Sequence, residues 1–131
     1  MSYITNIFEE TKQNDYFRKV LFTGEKSQLV VMSLKVEEII DKEKHDFVEQ
    51  IIFLLKGECV VTLSGTEIVM RKGDVVVVSP KTWHEVKNTG AEEALLYTVY
   101  SPANHIQGRV HKTKEEAVAD TEDEEFGERP R

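Results

Sequence analysis

The sequence has little cysteine, no long apolar run and no excess of basic residues. Its single cysteine in 131 residues, Cys59, excludes an internal disulfide and suits a reducing compartment. No segment approaches the roughly 20 apolar residues of a membrane helix. The N-terminus also lacks a basic segment followed by a long apolar one, so we expect no secretory signal. The expected location is therefore the cytoplasm.

Negative charge is concentrated near the C-terminus. The formal net charge is -7, and residues 113–131 contain eight acidic and three basic residues, a net charge of -5. The remainder is nearly balanced and has no basic surface of the kind that nucleic-acid binding requires. We expect residues 113–120 to form a short helix capped by Thr113. The acidic tail from Thr121 is expected to be disordered.

The central region is predicted to be all-β. Short segments rich in β-branched and long apolar residues alternate with glycine, proline and asparagine turns at intervals of about 8 to 12 residues. The continuous apolar run Val75–Val78 predicts a strand covered on both faces. So many short strands are expected to close into a barrel or a two-sheet sandwich. The predicted division is an N-terminal arm (1–15), a β-barrel domain (16–112), and a short helix with the acidic tail (113–131).

Two polar segments interrupt this β pattern. Glu43 and His45 are two residues apart, so in an extended strand they would face the same side, and Gln50 follows on the next strand. The second segment, GDVVVVSPKTWHEVKN, passes through a proline turn to His84. Imidazole, carboxylate and amide groups that converge from rigid strands are ligands for a divalent metal ion.

These two segments resemble the paired motifs of the cupin superfamily. The second motif matches well, with Gly73, Pro80, His84 and Asn88 in place. In the first motif Glu43 stands where a histidine is usual and Gln50 where a glutamate is usual. The resemblance is closer to small single-domain cupins labelled mannose-6-phosphate isomerase-like, and Leu96–Ala117 is also similar to that subgroup.

The resemblance implies a double-stranded β-helix, or jelly roll, with one divalent metal ion (zinc, manganese, iron or nickel). The implied ligands are Glu43, His45, Gln50 and His84. Each has a purely structural alternative: a single histidine is more often hydrogen-bonded than ligating, Glu43 could be an exposed strand-edge acid, and Gln50 could hydrogen-bond the barrel wall.

The remaining polar and aromatic residues are predicted to have structural rather than functional roles. Trp83 is expected at the barrel mouth, and Tyr97 and Tyr100 on opposite faces of their strand. His105 and His111 are expected to make loop-stabilising hydrogen bonds rather than to contact substrate. The core prediction comprises Ile52, Leu54, Val60, Val76, Val78 and Val86, and Cys59 is read as a small apolar strand residue.

Three functions follow from the resemblance and the candidate ligands. The first is a metal-dependent, isomerase-like enzyme acting on a small polar or sugar-like molecule, with Glu43 as a possible base. The second is a non-haem iron dioxygenase-type enzyme, since two histidines and a carboxylate suit Fe(II). The third is a non-catalytic module that binds or senses a small ligand. A homodimer is expected through apolar residues of an early strand, Val20, Leu21 and Phe22.

Overall fold

The computed structural model describes all residues, Met1–Arg131. Ten strands are preceded by one short helix and followed by two. The helices are α1 (Ile7–Gln13), α2 (Lys114–Ala119) and α3 (Thr121–Glu128). The strands are β1 (Arg18–Thr23), β2 (Gln28–Leu34), β3 (Ile39–Glu43), β4 (Glu49–Lys56), β5 (Glu58–Leu63), β6 (Thr66–Arg71), β7 (Val75–Val78), β8 (His84–Asn88), β9 (Ala94–Ser101) and β10 (Val110–His111). No helix is both long and apolar enough to cross a membrane.

The strands form two sheets that enclose one apolar core. The larger sheet has the order β10-β1-β2-β9-β4-β7 and the smaller one β3-β8-β5-β6. Every pair of neighbouring strands is antiparallel. Neighbours such as β4 and β9 are far apart in sequence, so the chain crosses repeatedly between the sheets. The predicted all-β jelly roll with a short C-terminal helix is confirmed.

Alternation along the strands decides which side chains reach the core. In β4 the residues Gln50, Ile52 and Leu54 are buried, whereas the intervening residues are only partly covered. Tyr100 is buried, and Tyr97 lies outside, its ring stacked on Phe53 with centroids 4.6 Å apart. The prediction that the two tyrosines face opposite sides is confirmed. Core residues predicted correctly are Cys59, Ile52, Leu54, Val78 and Val86, and Val76 is partly buried against them.

Two expectations about apolar residues are wrong, because each residue lies on the opposite face of its strand from the one expected. Val60 pairs with Val69 and Lys87 on the outer side of the small sheet, and Val61 occupies the core instead. Val20, expected at an exposed dimer surface, is a core residue with 6% exposure. One residue along a strand exchanges the inner face for the outer one, so an error of one position reverses the prediction.

The apolar strand β7 is covered on one face only. β7 is the edge strand of the larger sheet and pairs only with β4. Val76 and Val78 point inward, but Val75 and Val77 are 52% and 54% exposed. The predicted burial on both faces is therefore wrong, because no element packs over the outer side of β7.

The C-terminal segment is helical rather than disordered after Thr121. Thr113 caps α2 as predicted, with its hydroxyl accepting a hydrogen bond from the Glu116 amide at 3.2 Å. Asp120 caps α3 by accepting from the Asp123 amide at 3.1 Å. Acidic residues fill the first turn of each helix, where they stabilise the exposed amide groups.

Helix α3 is held against the barrel by buried hydrogen bonds to Asp123 and by a close backbone contact. The Nδ1–H of His105 donates to the Asp123 carboxylate at 2.7 Å, and the Ile106 amide donates to its other oxygen at 2.7 Å. A Cβ atom at Gly127 would lie 2.7 Å from the Asn104 backbone oxygen, so only glycine allows this approach. These contacts depend on residues brought together by folding, so charge composition alone indicated disorder.

Removing the Asp123 carboxylate should weaken this docking. We expect Asp123→Ala to lower the free energy of unfolding by about 2 kcal/mol, because it leaves the buried His105 and the Ile106 amide without an acceptor. Urea unfolding measures the change, and hydrogen exchange of the α3 amides shows where it acts. Glu125→Ala, in the same helix but exposed, should stay within about 0.5 kcal/mol of wild type. Equal losses in both variants would contradict the docking role of Asp123.

Candidate metal centre

Glu43 and His84 face each other because their strands pair in one particular register. β3 and β8 align Glu43 with His84, after an irregularity between Ile40 and Glu43. β3 ends at Glu43, so the expectation that His45 lies on the same strand is wrong. His45 reaches the cluster from the following loop, which the hydrogen bond from the Lys81 amide to the His45 carbonyl, 2.8 Å long, holds in place.

The spacing of the three side chains suits a metal ion better than direct hydrogen bonds. The Glu43 Oε1 atom lies 3.3 Å from His45 Nε2 and 3.6 Å from His84 Nε2. Both distances exceed the usual hydrogen-bond range of about 2.7–3.2 Å. Ligands at about 2.0–2.2 Å from a tetrahedral ion are roughly 3.3–3.6 Å apart. Both carboxylate–imidazole distances are therefore those of two ligands on one ion, and all three donor atoms lie within 4.8 Å of one another.

Both imidazoles leave a nitrogen atom available to the cluster. The Nδ1–H of His84 donates to the Thr82 carbonyl at 2.9 Å, which leaves the Nε2 lone pair directed elsewhere. The Nε2 atoms of His84 and His45 are buried and have no hydrogen-bond partner. Unpartnered buried polar atoms are costly, and a metal ion would satisfy both. A backbone acceptor on the far nitrogen is also the usual support for a metal-ligating histidine.

Gln50 lies on the inner face of β4 with its amide orientation fixed. Its Nε2 donates to the Thr98 hydroxyl and the Tyr100 hydroxyl, each at 3.1 Å. Its Oε1 is buried without a partner and is therefore free to act as a ligand. The ring of Tyr100 lies 6.2 Å from the ring of His45, so Gln50 belongs to the same buried polar layer. The residues present fit the metal that the fold implies.

The electrostatics of the metal-free cluster agree with its geometry. Burial alone would raise the pKa of Glu43, but His45 and His84 outweigh it and lower the pKa below its usual value. Burial also opposes a charge on His84, yet the pKa of His84 is raised by Glu43 and by the Thr82 carbonyl. The carboxylate of Glu43 and the two imidazoles therefore favour positive charge at this point, as a site for a cation would.

A cavity of about 310 Å³ opens beside the cluster. Glu43, His45 and Arg18 line it, whereas His84 and Gln50 do not, and α3 forms one wall. Trp83 is 47% exposed at the mouth, with the ammonium groups of Lys42 and Lys44 at 5.4 and 5.5 Å from its ring centre. A larger groove of about 1120 Å³ lies beside α1 and contains none of the four candidate ligands. The smaller cavity is therefore the candidate site.

A second group of potential ligands is already satisfied within the protein. His111, Asp120 and Asp123 lie close enough to hold an ion. However, His111 Nε2–H donates to Asp120 at 2.8 Å, and Asp123 accepts from His105. Arg109 also pairs with Asp120 at 2.8 Å. These contacts anchor the C-terminal segment, and they agree with the prediction that His105 and His111 make structural hydrogen bonds.

Arg18 is the residue of the cavity that sequence reasoning missed. It is 9% exposed and lies on the inner side of β1, in phase with the buried Val20. The available signal was a charged residue at a core-facing position of an otherwise apolar strand. Helix α3 was not predicted for another reason. Its buried acid Asp123 meets its partner His105 only in the folded chain.

Residues 30–100 match the cupin domain family. The chain is 37% identical over 123 residues to the uncharacterized protein YrkC of Bacillus subtilis, covering 89% of this chain and 66% of that protein. It is 40% identical over 113 residues to the uncharacterized protein L612 of Acanthamoeba polyphaga mimivirus, covering 82% and 70%. The chain is thus a member of the cupin family.

The solved structure of BH2720 from Bacillus halodurans is similar over most of its length. It has 33% sequence identity and a TM-score of 0.89, and the match covers 91% of this chain and 95% of that one. The likeness therefore extends beyond the cupin domain to the chain's terminal segments.

Acidification should weaken the α3 wall. Burial, with the charge of Arg18, lowers the pKa of His105 from 6.5 to about 4 despite Asp123. The unfolded chain therefore takes up a proton on this residue at higher pH than the folded one. The contribution of His105 to the free energy of unfolding is therefore fully present above pH 6.5, and it is lost as the pH falls towards about 4. Asp123, with its own pKa lowered by His105 against the effect of burial, adds a loss in the same direction at lower pH.

Thermal unfolding across this pH range measures the effect, with His105→Gln as the matched variant. The glutamine retains an amide donor towards Asp123 but cannot titrate. We expect its stability to depend less on pH, by up to about 3 kcal/mol over the window, since one pKa unit corresponds to about 1.4 kcal/mol. The opposite charge effect at His84 is common to both proteins and cancels in the difference. Parallel pH profiles would show that His105 does not titrate with folding.

Proposed function

We propose that this cupin binds one divalent metal ion through Glu43, His45, Gln50 and His84 and acts as a metal-dependent enzyme on a small polar molecule. The supporting observation is a set of unpartnered buried atoms, Nε2 of both histidines and Oε1 of Gln50, beside the Glu43 carboxylate. Groups of this kind are stable when a cation joins them. The adjoining cavity of about 310 Å³ matches a ligand of small size.

When bound, the ion supplies Lewis acidity that polarises a carbonyl or activates a hydroxyl group. The protein's contribution is orientation. Thr82 fixes the His84 ring, and Thr98 with Tyr100 fixes the Gln50 amide. Among Glu43, His45 and His84, Glu43 has the most exposed side chain, with 36% accessible. Its lowered pKa means that it is ionised at neutral pH. It is therefore the ionised carboxylate that faces the cavity, and its lowered pKa makes it a weak proton acceptor.

An isomerase-like reaction is the chemistry we assign first, on the resemblance of the sequence to that subgroup. A second candidate is an oxygen-using iron enzyme. Glu43, His45 and His84 have the composition of the two-histidine, one-carboxylate group that binds Fe(II) with open positions. Oxygen consumption by the iron-loaded protein that depends on an added organic substrate would favour the second candidate, and turnover without oxygen the first.

Metal content tests the ligand set. Protein purified without chelators or metal-affinity resin should contain close to one divalent ion per chain by inductively coupled plasma mass spectrometry. His45→Ala and His84→Ala should weaken binding on the order of 100-fold, and Gln50→Leu on the order of 10-fold, because a neutral amide is the weaker ligand. Glu49→Gln is the matched control, since its side chain lies on the outer, exposed face of β4. Equal metal content in all five proteins would refute the assignment.

We also infer a homodimer, through the outer face of the larger sheet. Val77, Ile51, Val99 and Leu29 form an apolar row across four neighbouring strands. Its end at the edge strand β7 is the most exposed, with Val77 at 54%. Apolar side chains beside unpaired strand backbone favour association.

A charge on this row should prevent association. We expect wild-type protein to have the mass of a dimer by size-exclusion chromatography with light scattering, and Val77→Lys to have that of a monomer. Val36→Lys, in the turn after β2 and 51% exposed, introduces the same charge away from the row and should remain dimeric. A wild-type monomer, or a dimeric Val77→Lys variant, would contradict this surface.

A further inference from the structure

Arg18 is a buried cation without an anionic partner. Only 9% of the residue is exposed. One guanidinium nitrogen lies 3.5 Å from Nδ1 of His111, and the guanidinium carbon is 5.3 Å from the ring centre of Phe17. The Nε atom is fully buried and has no hydrogen-bond partner. His111 donates its Nε2–H to Asp120, so its Nδ1 is the ring nitrogen that faces Arg18.

The other buried or half-buried basic groups of the cavity region have carboxylate partners. Arg109 pairs with Asp120, Lys114 with Asp41, and His105 with Asp123, at 2.7–2.9 Å. No carboxylate oxygen lies within 4.0 Å of Arg18. A buried charge is normally paired, since desolvation is costly without compensation. Arg18 therefore lacks a direct carboxylate contact, and its charge acts only at longer range on Glu43 and Asp123, whose pKa values it lowers. An anion from outside the chain would supply the direct contact.

The cavity beside the candidate metal centre is where that anion can enter. Arg18, Glu43, His45 and His105 all line it. Nε2 of His105 is a second buried atom without a partner. It is an acceptor, because Nδ1–H is donated to Asp123. The cavity thus offers a fork of donors for a carboxylate and an acceptor for a hydroxyl group.

We propose that Arg18 is the substrate-binding residue for a carboxylate group, and that the cavity takes a small hydroxycarboxylic acid. The carboxylate pairs with the guanidinium of Arg18, and a hydroxyl group donates to Nε2 of His105. The part of this inference that places the ligand against a metal ion rests on the proposed function, whereas the part that concerns Arg18 does not.

The acidic residues of the cavity wall do not oppose this assignment. Asp120 is paired with Arg109 and His111, and Asp123 accepts hydrogen bonds from His105 and the Ile106 amide, so the oxygen atoms of both carboxylates are already engaged. Glu124 and Glu128 are exposed at the rim, where solvent screens them. Glu43 is kept ionised by His45 and His84, with the charge of Arg18 acting in the same direction, and it is the residue assigned to the cation.

The test uses three probes: glycolate, the neutral isostere glycolamide, and acetate, which lacks the hydroxyl group. Each is titrated into zinc-loaded and metal-free full-length protein. The readouts are calorimetry and the ¹H–¹⁵N signal of the Arg18 Nε–H group, identified by its loss in Arg18→Lys. Zinc content is measured on the same samples. Arg71→Met, which removes an exposed arginine outside the cavity, is the control.

We expect glycolate to bind more tightly than glycolamide or acetate and to shift the Arg18 Nε–H signal in both zinc-loaded and metal-free protein. Arg18→Met should weaken glycolate binding by about 10-fold to 100-fold, as expected for a hydrogen bond to a charged group. It should leave glycolamide binding and zinc content unchanged, and Arg71→Met should behave as wild type.

Three results would overturn the proposal: no glycolate binding to wild type, an Nε–H signal that glycolate does not move, or equal glycolate affinity in Arg18→Met. Where Arg18→Met does not fold, the wild-type Nε–H signal and the Arg18→Lys variant decide, since lysine lacks the planar fork. Absence of zinc uptake with a normal shift of the Nε–H signal would refute the metal centre and leave the role of Arg18 standing.

Discussion

The alignment of Glu43 with His84 across β3 and β8 is the contact on which the candidate site depends. It joins two chain segments about forty residues apart in sequence and sets a carboxylate opposite an imidazole at the edge of the core. An irregularity in the pairing just before Glu43 allows the chain to leave the strand there, and the loop then returns His45 to the same point. A shift of one residue in this register would turn Glu43 or His84 away from the cavity.

Much of the remaining structure serves to hold polar groups at that point at a cost to stability. The apolar core packs below them, with residues such as Val86 and Leu54 almost fully buried. Above it, unpartnered nitrogen and oxygen atoms of His45, His84, Gln50 and Arg18 occupy buried positions. Unsatisfied buried atoms are rare in folded proteins, and they concentrate where a ligand completes them. Their grouping around one cavity, rather than over the whole core, distinguishes a site from imperfect packing.

The C-terminal segment gives the cavity its polarity as well as its wall. Asp120 and Asp123 each serve twice, as cap or anchor of α3 and as the partner of a buried histidine. Because Asp120 and Asp123 are engaged by these histidines, Arg18 contacts Nδ1 of His111 and no carboxylate. Asp120 and Asp123 are thus structural residues of the domain, whereas the other acidic residues of the segment are exposed.

The sequence by itself determined the fold class and the residue types of the site. The turn spacing predicts a closed all-β domain, and the resemblance of the motifs to cupins implies the jelly roll. Period-two alternation places Tyr97 and Tyr100 on opposite faces, because this signal is local. Non-local contacts decided the rest. β7 became a half-exposed edge because of its place in the sheet, and α3 became ordered because His105 and Gly127 meet their partners only after the chain folds. Arg18 gained its significance in the same way: a strand sequence shows that an arginine points inward, but only the tertiary structure shows which groups surround it.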